Sequence, residues 1–223
     1  MKTIAKIRSD FPSKFGIPRQ SGLTDSLSTI VFEKKYRVDE ALRGIEEYSH
    51  LWLLWEFSEV KDKEWSPTVR PPRLGGNKRV GVFATRSPFR PNPVGLSCVE
   101  LVGTEKTKEG TVLIVKGADL MDGTPIYDIK PYIPYVDCKK DAKGSFSEEK
   151  KDYSLRVECS EKLLSLIPEN KQQALLQILS QDPRPAYIED STRIYGFPYA
   201  EFEIKFSVDE NILCVKSIEK SEN

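Results

Sequence analysis

Histidine is nearly absent from this 223-residue chain, with His50 the single example. That scarcity excludes His-based metal clusters and most Cys/His relays, so a metal site would have to be built from carboxylates. Cysteine is scarce and scattered, at Cys98, Cys138, Cys159 and Cys214, with no C-x-x-C pair of a zinc or redox site. Small buried hydrophobes in a reducing compartment account for all four. Long hydrophobic runs are missing as well. The longest, Leu51 to Trp55, falls far short of the ~20 apolar residues that a membrane-spanning helix needs. The stretch Met1–Arg8 is too charged, and too short in its apolar part, for a signal peptide. A cytoplasmic protein without membrane contact is expected. No G-x-G-x-x-G follows a strand, and there is no P-loop, G-x-S-x-G elbow or H-E-x-x-H. Neither a Rossmann dinucleotide site nor a P-loop site is expected. Composition leaves a glycoside hydrolase with paired carboxylates open.

What is present is an uneven distribution of charge. Lys+Arg and Asp+Glu both number 34, so the formal net charge is zero. Residues 1–140 hold 23 basic and 18 acidic residues, and residues 141–223 hold 11 and 16. Between Trp65 and Val99 stand Arg70, Arg73, Lys78, Arg79, Arg86 and Arg90, with no Asp or Glu. A basic segment in a neutral chain points to an anionic partner on one face; a solvated basic loop is the bland alternative. The stretch 139–152 is charged and almost without apolar anchors. It reads as a linker, giving a first domain over 1–140, a linker over 141–152 and a second domain over 153–223.

Before the linker, short runs rich in β-branched and aromatic residues alternate with Gly, Pro and polar clusters. They are Thr3–Ile7, Leu27–Phe32, Leu51–Phe57, Val80–Ala84, Leu96–Val102 and Thr111–Lys116. Many short strands at this spacing predict a mainly β, antiparallel sheet closed into a small barrel or sandwich. Asp39 to Glu47 has helical periodicity and should plug or flank it. After the linker, Tyr153–Val157 reads as a strand and Ser160 as the cap of a short helix stopped at Pro168. Ala174, Leu175, Ile178 and Leu179 share one helical face. Phe202–Val208 and Ile212–Lys216 form a hairpin. The whole is α+β and mainly β, the second domain being a small α+β unit with two or three strands.

Four loops are unusual. Arg70–Arg79 and Thr85–Gly95 combine arginines with prolines that fix the backbone, so guanidinium groups are held before a ligand arrives. Gly16-Ile17-Pro18-Arg19-Gln20-Ser21-Gly22 has the same style. Asp119–Tyr135 carries Asp119, Asp122 and Asp128 beside tyrosines and three prolines. Those carboxylates suit a cationic ligand, and an Asx turn explains Asp122 equally well.

At these loops the chain resembles the TsaA-like (TrmO-type) tRNA methyltransferases in their bacterial two-domain form. The resemblance rests on Arg19–Gly22, Ser49–Trp52, Arg70–Gly76, Phe83–Gly95, Asp119–Tyr135 and, in the tail, Gln181–Tyr187. It covers nearly the whole chain and departs at Ser21, where the family carries proline. It implies a non-Rossmann barrel, a homodimer, and S-adenosyl-L-methionine as methyl donor. The implied acceptor is the N6 nitrogen of threonylcarbamoyl-adenosine, just 3′ of the anticodon in tRNA. Carried onto this sequence, the cofactor would meet Gln20, Gly22, Phe57, Ser58, Arg90, Leu101, Asp122, Gly123, Thr124 and Pro125.

Methyl transfer from a sulfonium needs positioned reactants and no metal, and orientation alone can lower a barrier by about 7–11 kcal/mol. The acceptor nitrogen belongs to a urea, so its lone pair is delocalised. Asp122, Asp128 and His50 are therefore candidates to assist proton loss, as is the substrate's own carboxylate. Arg86, then Arg73, would bind the threonyl carboxylate. Arg70, Lys78 and Arg79 would meet phosphates, and Arg184 and Tyr187 an anticodon-loop base. Tyr187 as a buried interface residue is the alternative there. Two other functions remain open: a non-catalytic RNA-binding barrel, and a methyltransferase with another substrate.

Overall fold

A computed structural model describes residues 1–60, 64–71, 78–148, 153–184 and 190–221. Its strands are β1 (Ala5–Arg8), β2 (Leu27–Phe32), β3 (His50–Glu56), β4 (Thr68–Val69), β5 (Val80–Gly81) and β6 (Val94–Thr107). They continue as β7 (Gly110–Lys116), β8 (Pro125–Pro131), β9 (Arg156–Glu158), β10 (Tyr195–Tyr199), β11 (Phe202–Asp209) and β12 (Ile212–Lys220). The α-helices are α1 (Pro134–Asp137), α2 (Glu161–Leu164) and α3 (Glu169–Ser180).

Six strands close into a barrel in the order β1-β2-β7-β6-β3-β8, and every neighbouring pair is antiparallel. Alternation explains the closure. Leu51, Leu53 and Trp55 of β3 point inward and are buried, while Trp52 and Leu54 between them are partly exposed. Ile7, Ile30, Val99, Leu113 and Ile126 fill the same interior.

Three local expectations are corrected. Asp39–Glu47 is two 3-10 turns, Asp39–Leu42 and Ile45–Glu47, rather than a helix. Gly44 between them takes φ +83°, a left-handed conformation that ends the helical path. The segment nevertheless flanks the barrel, with Leu42 and Ile45 against its core. The run Val80–Ala84 is strand only at β5, and Val82–Ala84 turns in 3-10 form. Most consequential, the proline-rich stretch after Asp119 contains β8, the strand that closes the ring. Its prolines at 125 and 131 stand at its first and last positions, where a missing N–H is best tolerated.

After residue 153 the strands order β10-β11-β12-β9, with β9 parallel to β12. This sheet has four strands rather than two or three. Gly196 and Pro198 disguise β10, which lies at the sheet edge where proline is accommodated. Ser160 accepts the Leu163 N–H at 3.3 Å and caps α2. Ala174, Leu175, Ile178 and Leu179 bury the predicted face of α3. That core also takes in Phe11, which comes from the segment between β1 and β2 and is fully buried.

Candidate active site

Antiparallel closure sends alternate connections to opposite ends of the barrel. The connections 9–26, 57–93 and 117–124 all leave from one mouth, because they join β1 to β2, β3 to β6 and β7 to β8. These contain the arginine-proline segments, the Gly16–Gly22 segment and the start of the aspartate-rich segment. Loops far apart in sequence are thereby gathered by topology alone.

At this mouth β6 outruns β7. Its pairing with β7 begins at Glu100↔Lys116, whereas Val94 to Val99 pair with β3. The edge left by β7 is met by Ser21, whose Oγ accepts the Cys98 N–H at 3.1 Å. A proline at 21 would have no hydroxyl for this task. Next to Ser21, the Gly22 N–H donates to the Gly117 carbonyl at 2.8 Å, and Arg86 donates to the Gln20 Oε1. The 19–22 loop is thus pinned to the barrel rim.

Below the rim, the Trp55 indole N–H donates to Ser97 Oγ at 2.9 Å, and the Ser97 hydroxyl donates to Asp119 Oδ1 at 2.5 Å. Burial pushes the Asp119 carboxyl above the usual carboxylate range, against the opposing pull of the Ser97 hydroxyl and the Arg86 charge. Phe57 lies against Trp55, with ring centroids 4.3 Å apart. Thr24, Ser26, Ser28, Ser97 and Thr124, all buried, make this end of the barrel rich in hydroxyls. Among the described residues, the Ser28 Oγ is buried without a hydrogen-bond partner.

The Asp122–Pro125 turn is tied to the end of β1. Asp122 accepts the Ser9 N–H at 3.0 Å, and the Gly123 N–H donates to the Ile7 carbonyl at 2.8 Å. The Thr124 hydroxyl donates to the Met121 carbonyl at 2.7 Å, and Pro125 opens β8. The Asp122–Ser9 bond joins residues far apart in sequence and is not the local contact of an Asx turn, so Asp122 ties its loop to the end of β1.

The structure gathers Gln20, Gly22, Phe57, Ser58, Arg86 and Asp122–Pro125 at one mouth. It does not bring His50 or Leu101 there. His50 begins β3 and Leu101 donates its N–H to Ser49, about 20 Å along the strands from Glu56. Asp128 pairs with Leu54 on the outer face and meets Lys130 at 2.9 Å. Arg90 braces its own loop, donating to the carbonyls of Val82 and Thr85 at 3.1 and 2.8 Å. Arg70 and Lys78 are exposed beside the β4–β5 pair, and Arg79 donates to Thr68 Oγ1. Arg184 forms a bidentate pair with Asp182 at 2.8 Å for both bonds. Arg73 and Tyr187 lie outside the described residues.

Asp119, Ser97 and Trp55 were not legible as site residues. Asp119 showed only as one of three loop carboxylates, and the other two look like ordinary strand residues. Replacing Asp119 with asparagine keeps the acceptor for Ser97 and removes a charge that burial disfavours. The charged native state binds protons more readily than the unfolded chain, so stability falls as pH rises from the ordinary carboxylate value through the raised one. Asp119→Asn is expected to melt at a higher temperature than the parent at neutral pH. The gap should close as pH falls to the ordinary carboxylate range. A gap independent of pH in thermal melts would refute the assignment.

The chain matches known proteins along most of its length. Residues 6–138 match the tRNA-methyltransferase O N-terminal domain, and residues 149–221 match the TrmO C-terminal domain. The chain is 41% identical over 216 residues to the tRNA (adenine(37)-N6)-methyltransferase of Escherichia coli (strain K12), covering 93% of this chain and 92% of the relative. It is 42% identical over 202 residues to a putative S-adenosylmethionine-dependent methyltransferase, RcsF, of Pseudomonas aeruginosa, covering 86% and 85%. A crystal structure of TrmO from P. aeruginosa superimposes with a TM-score of 0.78 at 33% identity, covering 98% of this chain and 95% of that one. With both parts of the chain matched, it belongs to the tRNA-methyltransferase O family.

Proposed function

We propose that this chain methylates the N6 nitrogen of adenosine 37 in tRNA with S-adenosylmethionine, and that the acceptor carries a threonylcarbamoyl group. The observation that supports this reading most is the convergence of three loops on one mouth, where Arg86, Gln20 and Asp119 meet. The donor set fits the cofactor. Phe57, backed by the buried Trp55, offers an aromatic face to a purine, Asp119 an anionic oxygen to a cation, and Gln20 polar edges.

In this reading Gln20, Gly22, Phe57, Ser58 and Thr124–Pro125 hold the cofactor, which supplies a methyl group on a sulfonium for in-line displacement. Arg86 orients the acceptor through its carboxylate, using a planar fork that matches two oxygens. Asp122 is the candidate of the original three that stands at this mouth, with one carboxylate oxygen engaged by Ser9. Asp119 joins it as a second carboxylate able to accept a proton. Arg70, Lys78 and Arg79 follow the tRNA backbone, and their contribution should weaken with salt. The proposed units are 1–140 and 153–223 joined by 141–152. A homodimer is part of the reading, supported by Leu96 and Val102, large apolar residues of β6 that stand about half exposed.

The test incubates the protein and S-adenosylmethionine with tRNA from cells lacking this activity, followed by mass spectrometry of the digested nucleosides. A nucleoside one methyl heavier than threonylcarbamoyl-adenosine is expected. Cofactor binding without that product would redirect the search to another acceptor, and no cofactor binding would leave an RNA-binding barrel. Sedimentation of the same preparation should give twice the 25.4 kDa chain mass.

A further inference from the structure

The connection 9–26 leaves the barrel, runs across the second sheet and returns. Its outbound part is buried in the C-terminal core. The Asp10 carbonyl accepts the Ala200 N–H at 2.8 Å, Asp10 pairs with Lys171, and Phe11 is fully buried among C-terminal residues. Gly16 then passes beneath Phe197 with φ +82°. A Cβ there would sit 2.2 Å from the Phe197 ring, so the chain can approach this closely only as glycine. On the return, Asp25 and Gln177 exchange two hydrogen bonds of 2.6 Å each. Between these anchors, Arg19 Nη2 donates to the main-chain carbonyl of Asp182 at 3.0 Å.

Asp182 is itself over-determined. It has φ +55° and is buried, its carboxylate is gripped by Arg184, and the Tyr153 hydroxyl donates to it at 2.8 Å. Burial pushes this carboxyl up, and the bonds from Arg184 and Tyr153 together hold it below the usual range. A carbonyl fixed in this way is a rigid point, and the residue it holds, Arg19, directly precedes Gln20. The Gln20, Ser21 and Gly22 contacts to Arg86, Cys98 and Gly117 follow within three residues.

We propose that the C-terminal domain is a positioning device for the methyl-transfer site, acting through an Arg19–Asp182 latch that sets the Gln20–Gly22 loop on the barrel rim. The inference rests on the reading of that loop as part of the cofactor site. It gives Arg184 and Tyr153 a task remote from any ligand: they hold the carbonyl that holds Arg19.

The test compares Arg19→Ala and Tyr153→Phe with the parent in the full-length protein. Hydrogen exchange without cofactor should show the Gly22 and Cys98 amides exchanging at least about tenfold faster in Arg19→Ala, and less so in Tyr153→Phe. Amides of β3 and β7 should be unchanged. Calorimetric affinity for S-adenosylmethionine should fall by a similar factor. In Arg19→Ala/Gln20→Ala the losses should fail to add, because both act through one contact set. Unchanged exchange at Gly22 and Cys98 would overturn the latch, whatever the cofactor result. Faster exchange with undiminished affinity, or additive losses, would overturn its positioning role. Absence of cofactor binding in the parent would instead remove the reading beneath it, with the exchange data still deciding whether the latch exists.

Discussion

Arg86→Lys is expected to lower kcat/KM on threonylcarbamoylated tRNA by about a hundredfold while leaving affinity for S-adenosylmethionine within about threefold. A hydrogen bond to a charged group contributes about 1.5–3 kcal/mol, and each 1.36 kcal/mol is roughly tenfold in rate. Lysine keeps the charge and loses the planar fork, so the deficit should lie in recognition of the carboxylate. Arg86 is exposed at the mouth and hydrogen-bonded to Gln20, close enough to Asp119 for its charge to act on that carboxyl. It stands next to a proposed cofactor contact, so the division between substrate and cofactor roles is a sharp test. An equal loss of cofactor affinity would end that division. An equal loss on tRNA lacking the threonylcarbamoyl group would show that Arg86 reads something other than the carboxylate.

Gly95→Ala should be the most damaging single methyl group in the barrel. Gly95 faces Trp55 across the β3–β6 ladder, and a Cβ there would lie 2.2 Å from the indole. Trp55 is 7% exposed and cannot swing outward without leaving the core. Its N–H would also lose Ser97, which in turn orients toward Asp119. Overpacking of this kind costs about 1–3 kcal/mol, and the broken hydrogen bond brings the expected loss to about 3 kcal/mol or more. For a chain of this length that lowers Tm by roughly 6–12 °C. Denaturant and thermal unfolding check it. Stability within about 0.5 kcal/mol of the parent would mean that the indole is not packed as described. A stabilised variant with normal activity would also remove Trp55 from the support of the site.

The pattern of residues carried a good deal of this without any structure. Short runs rich in β-branched and aromatic residues announced the strands at Leu27–Phe32 and Leu51–Phe57, period-two alternation announced Phe202–Val208, and the spacing of Ala174–Leu179 announced a helix face. The arginine-proline loops were visible because proline stiffness and guanidinium charge are properties of the residues themselves. β8 was hidden because proline is a turn signal in isolation, and only a strand whose first and last positions need no N–H makes it acceptable. Asp122 and Asp119 looked alike on paper. Their difference lies in what surrounds them, Ser9 and the end of β1 for one, Ser97 and Trp55 for the other.

Local chemistry, the basic character of one segment and the strand and helix periods were determined by the sequence alone, since each depends on neighbours within a few residues. The tertiary structure decided which loops share a mouth, because that follows from closure of an antiparallel ring and not from any local preference. It also separated His50 and Leu101 from that mouth by the length of a strand, set Arg184 to hold Asp182, and drew Phe11 out of the first part of the chain into the core of the second. Long-range burial and pairing make those choices, between residues too far apart in sequence for any local preference to encode them.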